Sequence, residues 1–137
     1  MSCALLVTGL KGALFLESLP KTDWPDHIFY YKSRGEEDSA HTRLERIVGD
    51  ESTLIQPITF RVPTDFDVVI ALGWQYLVRD CSNLIVLHDS ILPRYRGFAP
   101  TATALINGDT RLGVTAIKAS PDFDAGEILA QQTVDIQ

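Results

Sequence analysis

The sequence predicts an α/β fold, a doubly wound and mainly parallel sheet of about six strands, and three observations predict it. Short apolar runs without polar alternation, such as CALLVT and LIVLH, read as strands buried on both faces. Amphipathic or glycine-punctuated segments of helical length lie between them. Strand and helix alternate along the chain, the pattern of a sheet whose parallel crossovers are helices. With 137 residues, 45% hydrophobic and 22% charged, there is material for one globular domain over residues 1–137 and not for two.

Cys3 to Thr8 is the first strand, ending at Gly9. Gly12 to Leu19 carries apolar residues at helical spacing and is closed by Pro20. His27 to Lys32 is aromatic-rich and bounded by Pro25 and Ser33-Arg34-Gly35, a second strand. Glu36 to Val48 sets Leu44, Ile47 and Val48 on one face among charges, a surface helix. Thr53 to Ile58 is a weak strand interrupted by Pro57, and Phe66 to Leu72 is a strong one followed by Gly73. Leu84 to His88 is another strand that stops at Asp89-Ser90. Phe98 to Asn107 reads as a helix stopped by Gly108, and Leu112 to Lys118 and Ile128 to Val134 as strands. Folds of this kind continue with a helix over the last strand, so a chain ending at Gln137 is expected to be minimal or truncated. The sheet edge left after Val134 would favour a homodimer.

Composition excludes several function classes. The formal net charge is −6, and no Lys/Arg cluster offers a footprint for a phosphate backbone, so no nucleic acid is expected. Cys3 and Cys81 form no C-x-x-C pair, so neither a metal site nor a redox couple is expected. No apolar stretch reaches the ~20 residues of a membrane span, and the leading apolar run is too short for a secretory signal. The reading is cytoplasmic, with no membrane partner. The charged stretch from Arg34 to Arg46 reads as a solvated helix face.

Ligands of open α/β sheets gather beyond the carboxyl ends of the strands. The first such end, Thr8-Gly9-Leu10-Lys11-Gly12, would suit an anion at a helix N-terminus or serve only as a tight turn. It lacks both the G-x-G-x-x-G spacing and the P-loop lysine. The strand ending at His88 places a titratable imidazole at that edge, followed by a stiff loop with two cations, Arg94 and Arg96. Asp122-Phe123-Asp124-Ala125-Gly126 forms a turn before the last strand. Taken alone, a His and an Asp so far apart in sequence say little.

The segment from His88 to Gln132, HDSILPRYRGFAPTATALINGDTRLGVTAIKASPDFDAGEILAQQ, resembles the core of the formyltransferase family. The H-x-S-[LI]-L-P-x-[YW]-R-G loop, the I-N-G-D-T turn, the G-V-T strand and the D-A-G-x-I turn occur in family order. Phe66 to Val78 is similar to the strand and loop that hold the pterin in that family. The resemblance implies a Rossmann-like formyltransferase fold and a place in one-carbon metabolism. It implies N10-formyltetrahydrofolate as formyl donor and a primary amine as acceptor.

By that resemblance His88 stabilises the developing oxyanion or exchanges a proton, and Asp124 holds the imidazole and helps deprotonate the amine. Gly73, Trp74, Gln75, Tyr76, Leu77 and Asp122 are the folate contacts it implies, although Trp74 also suits a plain core role. Ser90 shapes the site, and Arg94 and Arg96 either meet an anionic part of the substrate or are surface charge. The sequence departs from the family at Val86, where an asparagine is usual two residues before the histidine. Residues i and i+2 of a strand share a face, so an amide that would polarise the formyl carbonyl is missing beside His88. Either another group such as Asn83 or Gln75 supplies it, the enzyme is slow, or the chemistry has changed. The loop is closest to sugar formyltransferases, which implies an amino-sugar nucleotide acceptor. Methionyl-tRNA would call for a further tRNA-binding region and a favourable charge. A non-catalytic folate-binding module disabled at Val86 and a formyltetrahydrofolate hydrolase are the alternative readings.

Overall fold

In the computed structural model, which describes residues 1–76 and 82–137, the α/β expectation holds and the sheet pairing is mixed. Within the span read as one domain, the chain divides into two compact units, Met1–Tyr76 and Leu77–Gln137.

The first unit is a parallel α/β layer. Its strands are β1 (Cys3–Thr8), β2 (His27–Tyr31), β3 (Ser52–Leu54) and β4 (Val68–Leu72), in the order β3-β2-β1-β4, and every pairing is parallel. The central strand β1 is flanked on both sides and buries Ala4 through Thr8, which is why its sequence does not alternate. Helices α1 (Gly9–Ser18) and α2 (Asp38–Val48) make the crossovers. Leu16 and Leu44 are wholly buried, and Leu5, Leu6, Val7, Ile28 and Val69 complete the core. An exposed Arg43–Glu17 ion pair joins the two helices at the surface.

Several boundaries differ from the sequence reading, those of α1 and β3 for clear local reasons. Helix α1 begins at Gly9 rather than Gly12, because Gly9 takes φ +56 and lets the chain turn into the helix directly from the strand. A Cβ on Gly12 would lie 2.8 Å from Val7 Cβ, so a glycine there lets α1 settle on β1. Strand β3 is three residues long and ends at Leu54, short of Pro57, which cannot donate to a ladder. The first unit also holds a short 3₁₀ turn at Lys21–Asp23 that the sequence reading leaves as loop.

The second unit contains β5 (Leu84–His88), α3 (Pro100–Ile106), β6 (Arg111–Lys118) and β7 (Ile128–Asp135). Here both pairings are antiparallel, β5 with β6 and β6 with β7. The expectation of a mainly parallel sheet of about six strands is thus refined to seven strands, parallel in one unit and antiparallel in the other. For β6 and β7 the physical reason lies in their connection, a turn with no helix in it, since a parallel return needs a long crossover; β5 and β6 pair antiparallel across a long connection that contains α3. Helix α3 starts at Pro100, not Phe98, because Ala99 sits in the left-handed region at φ +50 and Pro100 opens the helix. All eight residues of β7 are exposed, Val134 at 60%.

Candidate active site

Within the second unit, the carboxyl end of β5 carries His88, whose register partner on β6 is Thr115. His88 is buried, at 8% exposure. Its Nε2 lies 2.8 Å from the Tyr95 main-chain oxygen, and its Nδ1 lies 3.3 Å from Asp124 Oδ1. A carbonyl oxygen only accepts, so Nε2 carries a proton in that contact. Nδ1 faces a carboxylate oxygen. Both ring nitrogens therefore have a polar neighbour.

Asp124 is anchored as firmly as the ring it faces. Its second oxygen accepts the Gly97 main-chain N–H at 2.8 Å. The residue takes φ +53, a conformation aspartate tolerates better than most residues. Two residues on, Gly126 passes so close to β6 that an added Cβ would lie 1.7 Å from the Lys118 carbonyl oxygen. The Asp-Phe-Asp-Ala-Gly turn thus needs a glycine at that position to bring Asp124 up to the imidazole.

The loop from Asp89 to Gly97 is tied down by polar groups beneath it. Ser90 is buried; its hydroxyl donates to the Arg94 main-chain oxygen at 2.6 Å and its N–H to the His88 oxygen at 2.9 Å. Thr115, wholly buried, donates its hydroxyl to the Ser90 oxygen at 2.7 Å and accepts the Leu92 N–H at 3.2 Å. Gln131 on β7 donates to the Leu92 oxygen and to the Thr115 hydroxyl, at 3.1 and 2.9 Å. The Leu92–Pro93 peptide is cis. Tyr95 takes φ +57, and its hydroxyl donates to Asp109 Oδ2 at 2.9 Å.

The structure thus brings together His88, Asp124, Ser90 and the Pro93–Gly97 loop of the sequence reading. Arg94 lies on the outer side of that loop, 61% exposed, with its guanidinium on the Tyr95 hydroxyl and Asp109. Arg96 and Asp122 are exposed, and the Asp122 main-chain oxygen accepts the Ser120 hydroxyl. Val86 is half-buried on β5, paired in register with Ile117. Thr115, Gln131, Tyr95 and Asp109 form the support of the site, and sequence reasoning passed over their side chains. The signal for three of them was present: Tyr95 in the H-x-S-[LI]-L-P-x-[YW]-R-G loop, Thr115 in G-V-T and Asp109 in I-N-G-D-T.

In the first unit, Gly73 takes φ +72 directly after β4. Trp74 stacks edge-on against Tyr31, with ring centroids 5.3 Å apart, and against Tyr76 at 6.0 Å. Its indole N–H is buried and has no hydrogen-bond acceptor among the described residues. Gln75 and Tyr76 are exposed, and Leu77 lies outside the described residues. Burial pushes the Tyr31 hydroxyl above its ordinary pKa. At the Gly9–Gly12 turn, the Glu36 carboxylate lies against Gly9 and accepts the Ser33 N–H at 3.1 Å. The turn therefore already faces an anion from within the chain.

Known proteins resemble this chain in sequence and in fold. The profile of the formyl transferase family matches residues 67–137. A methionyl-tRNA formyltransferase of Nitratiruptor sp. is 49% identical over 76 residues, covering 53% of this chain and 25% of its own. One from Clostridium acetobutylicum is 32% identical over 122 residues, covering 77% of this chain and 39% of its own. The chain therefore spans between a quarter and two fifths of the length of these curated relatives. Among solved structures, the phosphoribosylglycinamide formyltransferase of Anaplasma phagocytophilum superposes with a TM-score of 0.75 at 16% identity, over 100% of this chain and 73% of that one.

Proposed function

The chain belongs to the formyl transferase family, and from that premise we propose that it moves a formyl group from N10-formyltetrahydrofolate to a primary amine of a small acceptor. The observation that carries the reading is the buried His88–Asp124 pair, 3.3 Å apart and inside the stretch the family profile matches. In this reading the amine nitrogen bonds to the formyl carbon while the bond from that carbon to N10 breaks. The carbonyl oxygen gains negative charge as the amine attacks, and the His88 ring, oriented by the Tyr95 carbonyl and Asp124, is proposed to stabilise it. Asp124, its carboxylate oriented by the Gly97 N–H, takes the proton that the amine must lose. The proton ends on N10 of the departing folate, so atoms and charge balance.

The folate fits what the first unit offers. Gly73, Trp74, Gln75 and Tyr76 are the proposed pterin contacts of the first unit, and Leu77 and Asp122 are folate contacts by the resemblance alone. The open main chain at Gly73 and the unpaired Trp74 indole N–H suit a ring with donor and acceptor edges. The donor supplies the activated one-carbon unit. Ser90 keeps the loop in shape, and Arg94 and Arg96 are the groups proposed to meet an anionic part of the acceptor.

An amino-sugar nucleotide is the proposed acceptor, on the strength of the HDS…RGFAP loop and the net charge of −6. A second reading, methionyl-tRNA, is favoured by a different observation, the 32–49% identity to methionyl-tRNA formyltransferases. Among the described residues no helix is long and apolar enough to cross a membrane, and a cytoplasmic place is part of the proposal. The test is a formyl-transfer assay with a panel of amino-sugar nucleotides and methionyl-tRNA, wild type against Asp124→Asn. Transfer to an amino-sugar nucleotide, abolished by the substitution, supports the reading. Transfer to methionyl-tRNA alone moves the acceptor, and formate release without any acceptor makes the chain a hydrolase.

A further inference from the structure

We propose that Tyr95 and Asp109 are positioning residues that hold His88 in its working protonation geometry through a main-chain carbonyl. The catalytic consequence rests on the formyl-transfer reading; the structural claim does not. His88 has two ring nitrogens, and one of them, Nε2, is occupied by the Tyr95 carbonyl at 2.8 Å. What a partner does at one imidazole nitrogen sets what the other presents. The carbonyl therefore fixes the proton on Nε2 and leaves Nδ1 for Asp124.

A carbonyl on an exposed loop does not stay in place unaided, and Tyr95 is in a conformation that non-glycine residues seldom adopt, φ +57. Its side chain supplies the restraint. The phenol donates to Asp109 Oδ2 at 2.9 Å and accepts from Asn107 Nδ2 at 3.2 Å and from the Arg94 guanidinium at 2.9 Å. Asp109 in turn is fixed by the end of α3. Its own N–H donates to the Ala104 oxygen at 3.0 Å, and the Gly108 N–H to the Leu105 oxygen at 3.0 Å. The path runs from the closing turn of α3 through Asp109 and the phenol to the Tyr95 carbonyl and so to His88. Neither Tyr95 nor Asp109 has a side-chain contact with the imidazole, so each acts through the peptide group between them.

The experiment compares Tyr95→Phe, Asp109→Ala and Asp109→Asn in the full chain. It reads the His88 Nε2–H proton by NMR without substrate, and kcat and KM of formyl transfer with it. A proton bonded to the Tyr95 carbonyl exchanges slowly enough to be seen. The proposal expects that resonance in wild type and in Asp109→Asn, which keeps an acceptor for the phenol. It expects the resonance lost in Tyr95→Phe and Asp109→Ala, with kcat reduced about 10-fold or more and KM within about 2-fold. Melting temperatures of all three verify that they fold. A resonance that survives in Tyr95→Phe overturns the proposal, and so does an unchanged kcat after the resonance is lost. If wild type transfers no formyl group, the formyl-transfer reading fails while the NMR comparison still decides the restraint.

Discussion

Replacing Gly126 by alanine adds one methyl group, and the structure says where it goes. The ideal Cβ would sit 1.7 Å from the Lys118 carbonyl oxygen, where real Cβ atoms essentially never come closer than 3.0 Å. No positive φ is involved at Gly126, so the penalty is contact rather than backbone preference. The Lys118 carbonyl ends β6 and cannot swing away freely, since the Ala119 N–H of the same peptide group is bonded to the Leu84 oxygen at 2.9 Å. The turn must therefore retreat by more than an ångström, carrying Asp124 off its 3.3 Å contact with His88. Overpacking of this kind costs about 1–3 kcal/mol, on the order of 4–12 °C in melting temperature for a chain of this size. Misplacing a reacting group by ~1 Å costs on the order of 10²-fold in rate. The assays are thermal unfolding and formyl-transfer kinetics on Gly126→Ala against wild type. Wild-type rate and melting temperature in Gly126→Ala would refute the reasoning.

Other expectations follow from the same contacts. Thr115→Val keeps the shape but strands the Leu92 N–H and a Gln131 donor, and denaturant titration should read a loss of about 2–3 kcal/mol. Val86→Asn restores an amide beside His88, and initial rates should rise by about 10²-fold if that donor is what the chain lacks. The Asp67 carboxyl is held below its ordinary pKa by the Ser2 N–H and hydroxyl. Its contribution is therefore present at neutral pH and fades as pH falls through and below the ordinary carboxylate range. The melting-temperature gap between wild type and Asp67→Asn should close on acidification. The exposed strand β7 should make the chain self-associate into a homodimer, read by sedimentation velocity.

How far the sequence could be read depended on whether a contact uses side chains. The apolar run that stops at His88 marked the strand and its ligand-facing end, although the structure only half-buries Ile85, Val86 and Leu87. Asp124 was reachable only through its motif, since its role depends on φ +53 and on the close pass at Gly126, neither of which periodicity reports. The partner of Nε2 is a peptide oxygen, and any residue at position 95 would offer one. What makes it Tyr95 is the phenol reaching Asp109, a long-range tie that sequence spacing does not reveal. The antiparallel second unit was missed for a similar reason, because Arg111–Lys118 and Ile128–Asp135 look alike whichever way they run. The length of the connection was the one clue to direction.

The central proposal is that this chain takes a formylated folate at its Gly73–Tyr76 segment. The most direct measurement is calorimetric titration with 5-formyltetrahydrofolate, a stable mimic of the donor, on wild type and Trp74→Ala. The account predicts saturable binding to wild type that weakens by roughly 10-fold or more in Trp74→Ala, where an aromatic ring and an indole donor are lost together. No heat of binding to wild type at millimolar ligand would contradict it.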